Sequence, residues 1–179
     1  MKKYILNILI FILFTSLSNS QNLDSLYVSR INDTILSKYL NEKRSIEIQL
    51  PRSYEANPDK KYPLMIVLDG DYMFNVVAGS VDYLSYWGDI PENLIVGINQ
   101  KDTRFKDSSV LDNITHTPIT STASFYDFIV NEVIPYFSKN YRISKFRVIL
   151  GQERTANFAN FFLLKKNPVF QGVISISPK

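Results

Sequence analysis

The chain reads as an α/β protein, a mostly parallel sheet with helices on both faces. Three observations lead there. Strand-like runs alternate with segments of helical period from Arg44 to Ser177, the order that gives right-handed crossovers between parallel strands. The runs PLMIVL (63–68) and NLIVGI (93–98) are almost continuously apolar, as in strands covered on both faces. The length of 179 residues, with 45% hydrophobic and 21% charged, fits one domain with a packed core and excludes a disordered chain or a polytopic membrane protein.

The elements follow in order. Residues 21–43 are mixed and polar and lead into the first strands. RSIEIQL (44–50) alternates apolar and polar, the period of a half-buried strand. Pro, Asn and Asp in 51–61 make a turn before PLMIVL, which stops at Asp69-Gly70-Asp71. From Tyr72 to Trp87 the apolar positions Val76, Val77, Val81, Leu84 and Trp87 recur at helical spacing. After NLIVGI, residues 99–120 read as polar and irregular. A helix over 122–137 places Phe125, Phe128, Ile129, Val133 and Ile134 on one stripe. Arg147–Leu150 reads as a short strand, 154–166 as a helix ended by Asn167-Pro168, and GVISIS (172–177) as the last strand. There is no internal repeat and no low-complexity segment.

The first twenty residues stand apart. Lys2 and Lys3 precede an apolar run from Tyr4 to Phe14, and Thr15–Ser20 is small and polar before Gln21. This is the three-part pattern of a secretory signal peptide. Its apolar run of about 11 residues is shorter than the roughly 20 needed to cross a bilayer. The expectation is an exported chain, periplasmic or extracellular, with no stable membrane insertion after cleavage and one domain over 21–179.

Composition narrows the chemistry. Two of the positive charges behind the formal +3 are Lys2 and Lys3, and no basic run interleaved with aromatics follows, so nucleic-acid binding has no support. The absence of Cys removes disulfides and thiolate chemistry. With one His and no Cys, a zinc site of the usual nitrogen and sulfur kind cannot be assembled. No glycine-rich phosphate loop is present, because Gly70 and Gly151 are isolated. No cofactor or metal is expected. The triplets Asn32-Asp33-Thr34 and Asn113-Ile114-Thr115 match the N-glycosylation pattern, which arises readily by chance.

Open parallel sheets gather their chemistry beyond the carboxyl ends of the strands. Two such ends are informative, Leu68-Asp69-Gly70-Asp71-Tyr72 and Leu150-Gly151-Gln152-Glu153-Arg154. Together with PRSYEANPDKKYPLMIVLDGDY, NLIVGIN followed by Thr-Arg, FIVNEVIPYFSKNYRISKFRVILG and FQGVISISP, they give a chain that resembles the putative-esterase branch of the α/β-hydrolases. That branch includes S-formylglutathione hydrolases and siderophore esterases. The resemblance covers about residues 44–178 and implies an α/β-hydrolase sheet and an ancestral carboxylic-ester hydrolysis. It implies further that backbone amides at Asp71 or Tyr72, and at Arg154, line an oxyanion hole, and that a G-x-S-x-G elbow follows the strand ending at Leu150.

The elbow needs its residue types for physical reasons. The nucleophile sits on a strained turn above the sheet, and small neighbours let strand and helix approach. Here the turn reads Gly151-Gln152-Glu153-Arg154-Thr155, with Glu153 at the nucleophile position and Thr155 in place of the second glycine. Glutamate cannot supply the hydroxyl that forms an acyl ester. The His that serves the triad follows the later strands in this family, and the sequence reaches Lys179 before them. The copy of the domain therefore reads as C-terminally incomplete, with its last strand left as a sheet edge. Ser-His-Asp hydrolysis is not expected.

Two readings of Glu153 remain. It could be a carboxylate nucleophile, a role that still requires a base. Or it could be a structural or ligand-contacting group at a helix N-terminus, where free amides and the helix dipole favour a carboxylate by about 0.3–1 kcal/mol, with Arg154 as a charge partner. His116, the one histidine, lies in the irregular segment, where Asp107 could orient it, and a loop His has by itself no assigned role. Tyr72, Arg104 and His116 are candidate contacts for a small ester-like ligand. The functional expectation is an esterase-family protein without triad catalysis. Alternatives are the truncated product of a longer hydrolase gene, a non-catalytic ligand-binding module, or a hydrolase using Glu153.

Overall fold

A computed structural model describes residues 28–178; the expected signal peptide lies outside them. The chain forms a six-stranded mixed sheet in the order β1-β2-β4-β3-β5-β6. Strands β1 (Arg30–Ser37) and β2 (Glu42–Gln49) make an antiparallel hairpin, and β2 joins β4 (Leu94–Ile98) antiparallel. Strands β3 (Tyr62–Val67), β5 (Ile143–Gln152) and β6 (Gly172–Ile176) complete the sheet, and β4-β3-β5-β6 run parallel.

Side-chain alternation along these strands builds two cores. Leu64, Ile66, Leu94, Val96, Ile98 and Ile149 point to one face, under Phe125, Phe128, Phe137 and Phe158. Met65, Val67, Ile95, Val148 and Leu150 point to the other, under Phe74, Val77, Ala78 and Val81. The unbroken apolar runs of the sequence are thus strands with a helix layer on either side. The second face is covered by α1 (Gly70–Tyr86). The first is covered by α3 (Thr120–Phe128), a π-helical turn (Ile129–Val133), α4 (Ile134–Asn140) and α5 (Arg154–Phe161).

The structure corrects several expectations. Residues 30–37, read only as a polar lead-in, form β1; their burial alternates along an edge strand with one exposed side. The segment 99–120 holds a short helix, α2 (Arg104–Ser108), and a bridge between Leu111 and Pro118. Strand β5 begins at Ile143 rather than Arg147. The helix expected over 154–166 ends at Phe161 and tightens into a 3-10 turn, Phe162–Leu164. The helix over 122–137 is interrupted because Pro135 can neither donate to nor pack against the preceding carbonyl turn, and the wide π turn ahead of it absorbs the mismatch. Among the described residues no helix is long and apolar enough to cross a membrane.

Candidate functional site

Three strand ends meet at the carboxyl edge of the sheet. Asp69, just past β3, takes the left-handed conformation (φ 55°, ψ 42°) that caps α1, which an Asp tolerates better than most residues. Gly70 must follow it, because a Cβ there would lie 2.7 Å from Asn99 Oδ1 and 2.8 Å from the Gly97 carbonyl carbon. At the end of β5, Glu153 holds φ 53°, ψ −109°, a sparsely populated region that costs about 1–3 kcal/mol. Its amide donates to the Ile176 carbonyl of β6 at 2.9 Å, and its carbonyl accepts from the Asn157 amide of α5 at 3.1 Å. A Cβ on Gly151 would stand 2.3 Å from the Thr155 carbonyl oxygen. The sharp strand-to-helix elbow read from the sequence is therefore built, with a carboxylate at its apex.

Asp69 is the hub beneath it. The residue is 1% exposed, and its Oδ1 accepts from Arg104 Nε at 2.8 Å while Oδ2 accepts from Thr155 Oγ1 at 2.7 Å and from the Tyr72 hydroxyl at 3.0 Å. The Asp69 amide donates to Gln100 Oε1 at 2.9 Å. Arg104 also donates from Nη2 to the Gln152 carbonyl at 2.9 Å, and its Nη1 lies 3.8 Å from Glu153 Oε2. One guanidinium thereby joins the ends of β3 and β5 and faces the elbow carboxylate. Thr155, in the second-glycine position, accepts from the Gln152 amide at 2.8 Å, so its hydroxyl ties the elbow to Asp69.

A second buried pair carries this arrangement to the hairpin. Asp107, fully buried on α2, accepts from both terminal nitrogens of Arg44 of β2 and from the side-chain Nε2 of Gln100. Arg44 is held above its ordinary value; burial works against the charge, and the hydrogen bond and charge of Asp107 outweigh it. The Tyr72 hydroxyl is pushed up to about 12 by its burial, then by the charge of Asp69 and the hydrogen bond to it. It stays a phenol at neutral pH and acts as a donor, not a base.

The residues expected at the site separate into two groups. Gly151, Gln152, Glu153, Asp71, Tyr72 and Arg104 lie together at this edge. The Tyr72 amide donates to the Asp69 carbonyl at 3.1 Å, whereas Asp71 and Arg154 occupy first-turn positions whose amides have no acceptor within their helices. The Asp71 carboxylate accepts from the Gln100 amide at 3.0 Å. The Arg154 side chain reaches the Ser109 hydroxyl at 3.4 Å and lies 5.2 Å from the Phe105 ring centre. Open to solvent at this edge are Asp71, Arg154, Tyr72, which is 46% exposed, and the side chain of Glu153, at 41%. His116 sits in an exposed turn, its amide bonded to the Asp112 carbonyl. Asp107 does not orient it, because that carboxylate is committed to Arg44, Gln100 and Thr103.

Sequence reading passed over Asp69, Gln100 and Arg44, and gave Asp107 to His116 rather than to Arg44. Asp69 had a local signal, an acidic residue directly ahead of the Gly at a strand end. The Arg44–Asp107 pair had none, since 63 residues separate its members. Among the described residues no group of three or more His, Cys, Asp or Glu could hold a metal ion.

Comparison with known proteins agrees with the fold. The family model described as Esterase, Putative esterase, matches residues 37–179. No curated protein matches the chain. An uncharacterised protein from Capnocytophaga ochracea DSM 7271 superposes with TM-score 0.72 at 27% identity, covering 84% of this chain and 41% of its own. An IroE-like serine hydrolase from Shewanella oneidensis gives 0.70 at 24% identity, covering 82% and 50%. The siderophore hydrolase EstB from Aspergillus nidulans gives 0.66 at 18% identity, covering 84% and 57%. The chain thus spans about half the length of the structures it resembles, and the mixed, mostly parallel sheet is that of an α/β-hydrolase.

Proposed function

The chain belongs to the putative-esterase family, and from that premise we propose that it is an exported protein of ester-hydrolase ancestry that has exchanged catalysis at the elbow for ligand contact. The observation that carries this reading is Glu153 at the strained apex, facing Arg104 at 3.8 Å. A carboxylate there has no hydroxyl to acylate. Holding a side chain in a conformation costing about 1–3 kcal/mol is the usual mark of a functional position rather than of packing. Tyr72, Glu153 and Arg104 offer a phenol donor, a carboxylate acceptor and a cation within one edge. That is the equipment to orient a small ester-like or hydroxyl-bearing molecule, the class to which a siderophore hydrolase's name also points.

The purified chain should hydrolyse p-nitrophenyl acetate no faster than buffer, and Glu153→Ala should leave that rate unchanged. A rate above background that Glu153→Ala abolishes would overturn the proposal and favour a carboxylate nucleophile.

A second reading, a piece of a longer hydrolase, is favoured by the share of its relatives that the chain spans, 41–57% of three structures. The mass of the protein isolated from its own cells separates the two. A polypeptide much larger than this chain, active on esters, would make the piece part of a working enzyme.

A further inference from the structure

Each helix between parallel strands returns the chain to the edge where the strands begin. Three such connections, 87–93 after α1, 141–142 after α4 and 162–171 after α5, therefore line that amino edge, together with residues 50–61 between β2 and β3. It is the end of the sheet opposite Glu153 and opposite Ile176, where β6 stops. Six residues of β3, at about 3.3 Å each, hold the two edges roughly 20 Å apart.

The amino edge is basic. Lys61, Lys139, Lys145, Lys165 and Lys166 are exposed, and none has a carboxylate partner among the described residues. Lys165 holds its ammonium over the Tyr126 and Phe161 rings, 5.0 and 4.5 Å from their centres. Arg142 and Arg147 donate to the Tyr54 and Val169 carbonyls rather than to carboxylates. Against these seven cations stand Glu55, Asp59 and Asp89, while Glu92 and Asp82 are matched by Lys60 and Arg52. The excess of four is larger than the formal +3 of the entire chain, Lys2 and Lys3 included, so positive charge is gathered on one side rather than spread.

Large apolar side chains stand among these charges. Leu163 and Leu164, directly before Lys165 and Lys166, are 61% and 72% exposed, and Tyr86 and Trp87 at the end of α1 are 66% and 65% exposed. Their two rings meet edge to face, with centres 5.3 Å apart. A phosphate backbone would use the lysines and gain nothing from the leucines. A bilayer surface uses both, since apolar bodies enter the headgroup layer, Trp and Tyr settle at its boundary, and cations meet the phosphates.

We propose that the amino edge is a peripheral membrane-binding surface, its occupant an anionic phospholipid bilayer. Leu163 and Leu164 on one side of the sheet, and Tyr86 and Trp87 on the other, enter the interface, and the lysines between and beside them bind the headgroups. Contact through this edge turns the elbow away from the lipid, so that Glu153, Tyr72 and Arg104 stay open to the aqueous side. No segment spans the bilayer in this arrangement.

The test is flotation of the purified full chain with vesicles of phosphatidylglycerol and phosphatidylcholine, compared with phosphatidylcholine alone, together with the emission of Trp87, the one tryptophan of the sequence. The chain should float better with the anionic vesicles, Trp87 emission should move to the blue, and brominated acyl chains should quench it. Each lysine that reaches an anionic surface raises affinity about fivefold, so Lys165→Glu combined with Lys166→Glu should lower it by at least about 25-fold. Salt at about 1 M, where the screening length falls to about 3 Å, should release the parent chain. Leu163→Ser combined with Leu164→Ser should weaken binding and keep its salt dependence. Lys43→Glu, an exposed position on β2 at the carboxyl edge, should bind as the parent does. Residues 1–27 are common to every variant, so the differences between variants report on the edge. The proposal is overturned if the anionic vesicles bind no better than the neutral ones, if Trp87 emission does not move, or if the lysine variant binds as the parent does. Equal losses at Lys43 and at Lys165 with Lys166 would overturn it too, as would undiminished binding by the leucine variant, the mark of a general polyanion surface. None of these outcomes involves the elbow, so ligand contact at Glu153 stands or falls separately.

Discussion

At residue 153 the backbone sits where an L side chain is strained, at φ 53° and ψ −109°. Glycine adopts that region freely, so Glu153→Gly should stabilise the fold by about 1 kcal/mol, the relieved strain less the extra freedom of an unfolded glycine; the urea midpoint is the measurement, and Glu153→Ala should not reproduce the gain. Two residues earlier the sign reverses. Gly151→Ala sets a methyl 2.3 Å from a backbone oxygen, and the variant should lose its cooperative unfolding transition. Tyr72 gives a pH signature. Its folded value of about 12 lies above the ordinary 10.0, so the native state binds the phenolic proton more tightly than the unfolded chain. That contribution is whole below pH 10 and is lost as pH rises through about 12. Tyrosinate absorbance should show a late-titrating phenol that Tyr72→Phe removes. Tyr136, held up to about 12 first by its hydrogen bond to Asp33, titrates late as well and remains in that variant.

Among the elements, α2 is the one that the site depends on most and that the sequence disclosed least. Five residues cannot hold a helix on their own. What fixes α2 is Asp107, buried against Arg44, which is itself 3% exposed. Removing one member of a buried pair strands the other charge, so Asp107→Ala should cost about 3–5 kcal/mol, toward the lower end because Glu42 still contacts Arg44. Thermal unfolding measures it. Arg104 on the same helix would lose its anchor, and ligand contact at the elbow should weaken with it. The polar run of 99–120 reads as irregular because its order comes from partners distant in sequence. The elbow was legible for the opposite reason: glycine, strand run and helical period all fall within a dozen residues. The interruption at Ile129–Val133 had a signal as well, Pro135 inside a helical stripe.

Across the whole molecule, the sheet order puts β4 and β3 at the centre and β1 and β6 at the edges. Amide hydrogen exchange should be slowest in Leu64–Val67 and Leu94–Ile98 and fastest in β1 and β6, since edge strands open without breaking the core; protection in β6 equal to that in β3 would contradict this order. The mostly parallel α/β architecture, the identity of nearly every core strand and the sharp turn between β5 and α5 were determined by the sequence alone, because apolar period and turn chemistry act over short distances. Tertiary structure decided the rest. It placed Asp69, Arg104 and Thr155, 86 residues apart at the extremes, in one hydrogen-bonded hub, and separated His116 from it. Those outcomes depend on which strand ends meet and what covers them, and the free energy of such long-range contacts is not written in any local window of the chain.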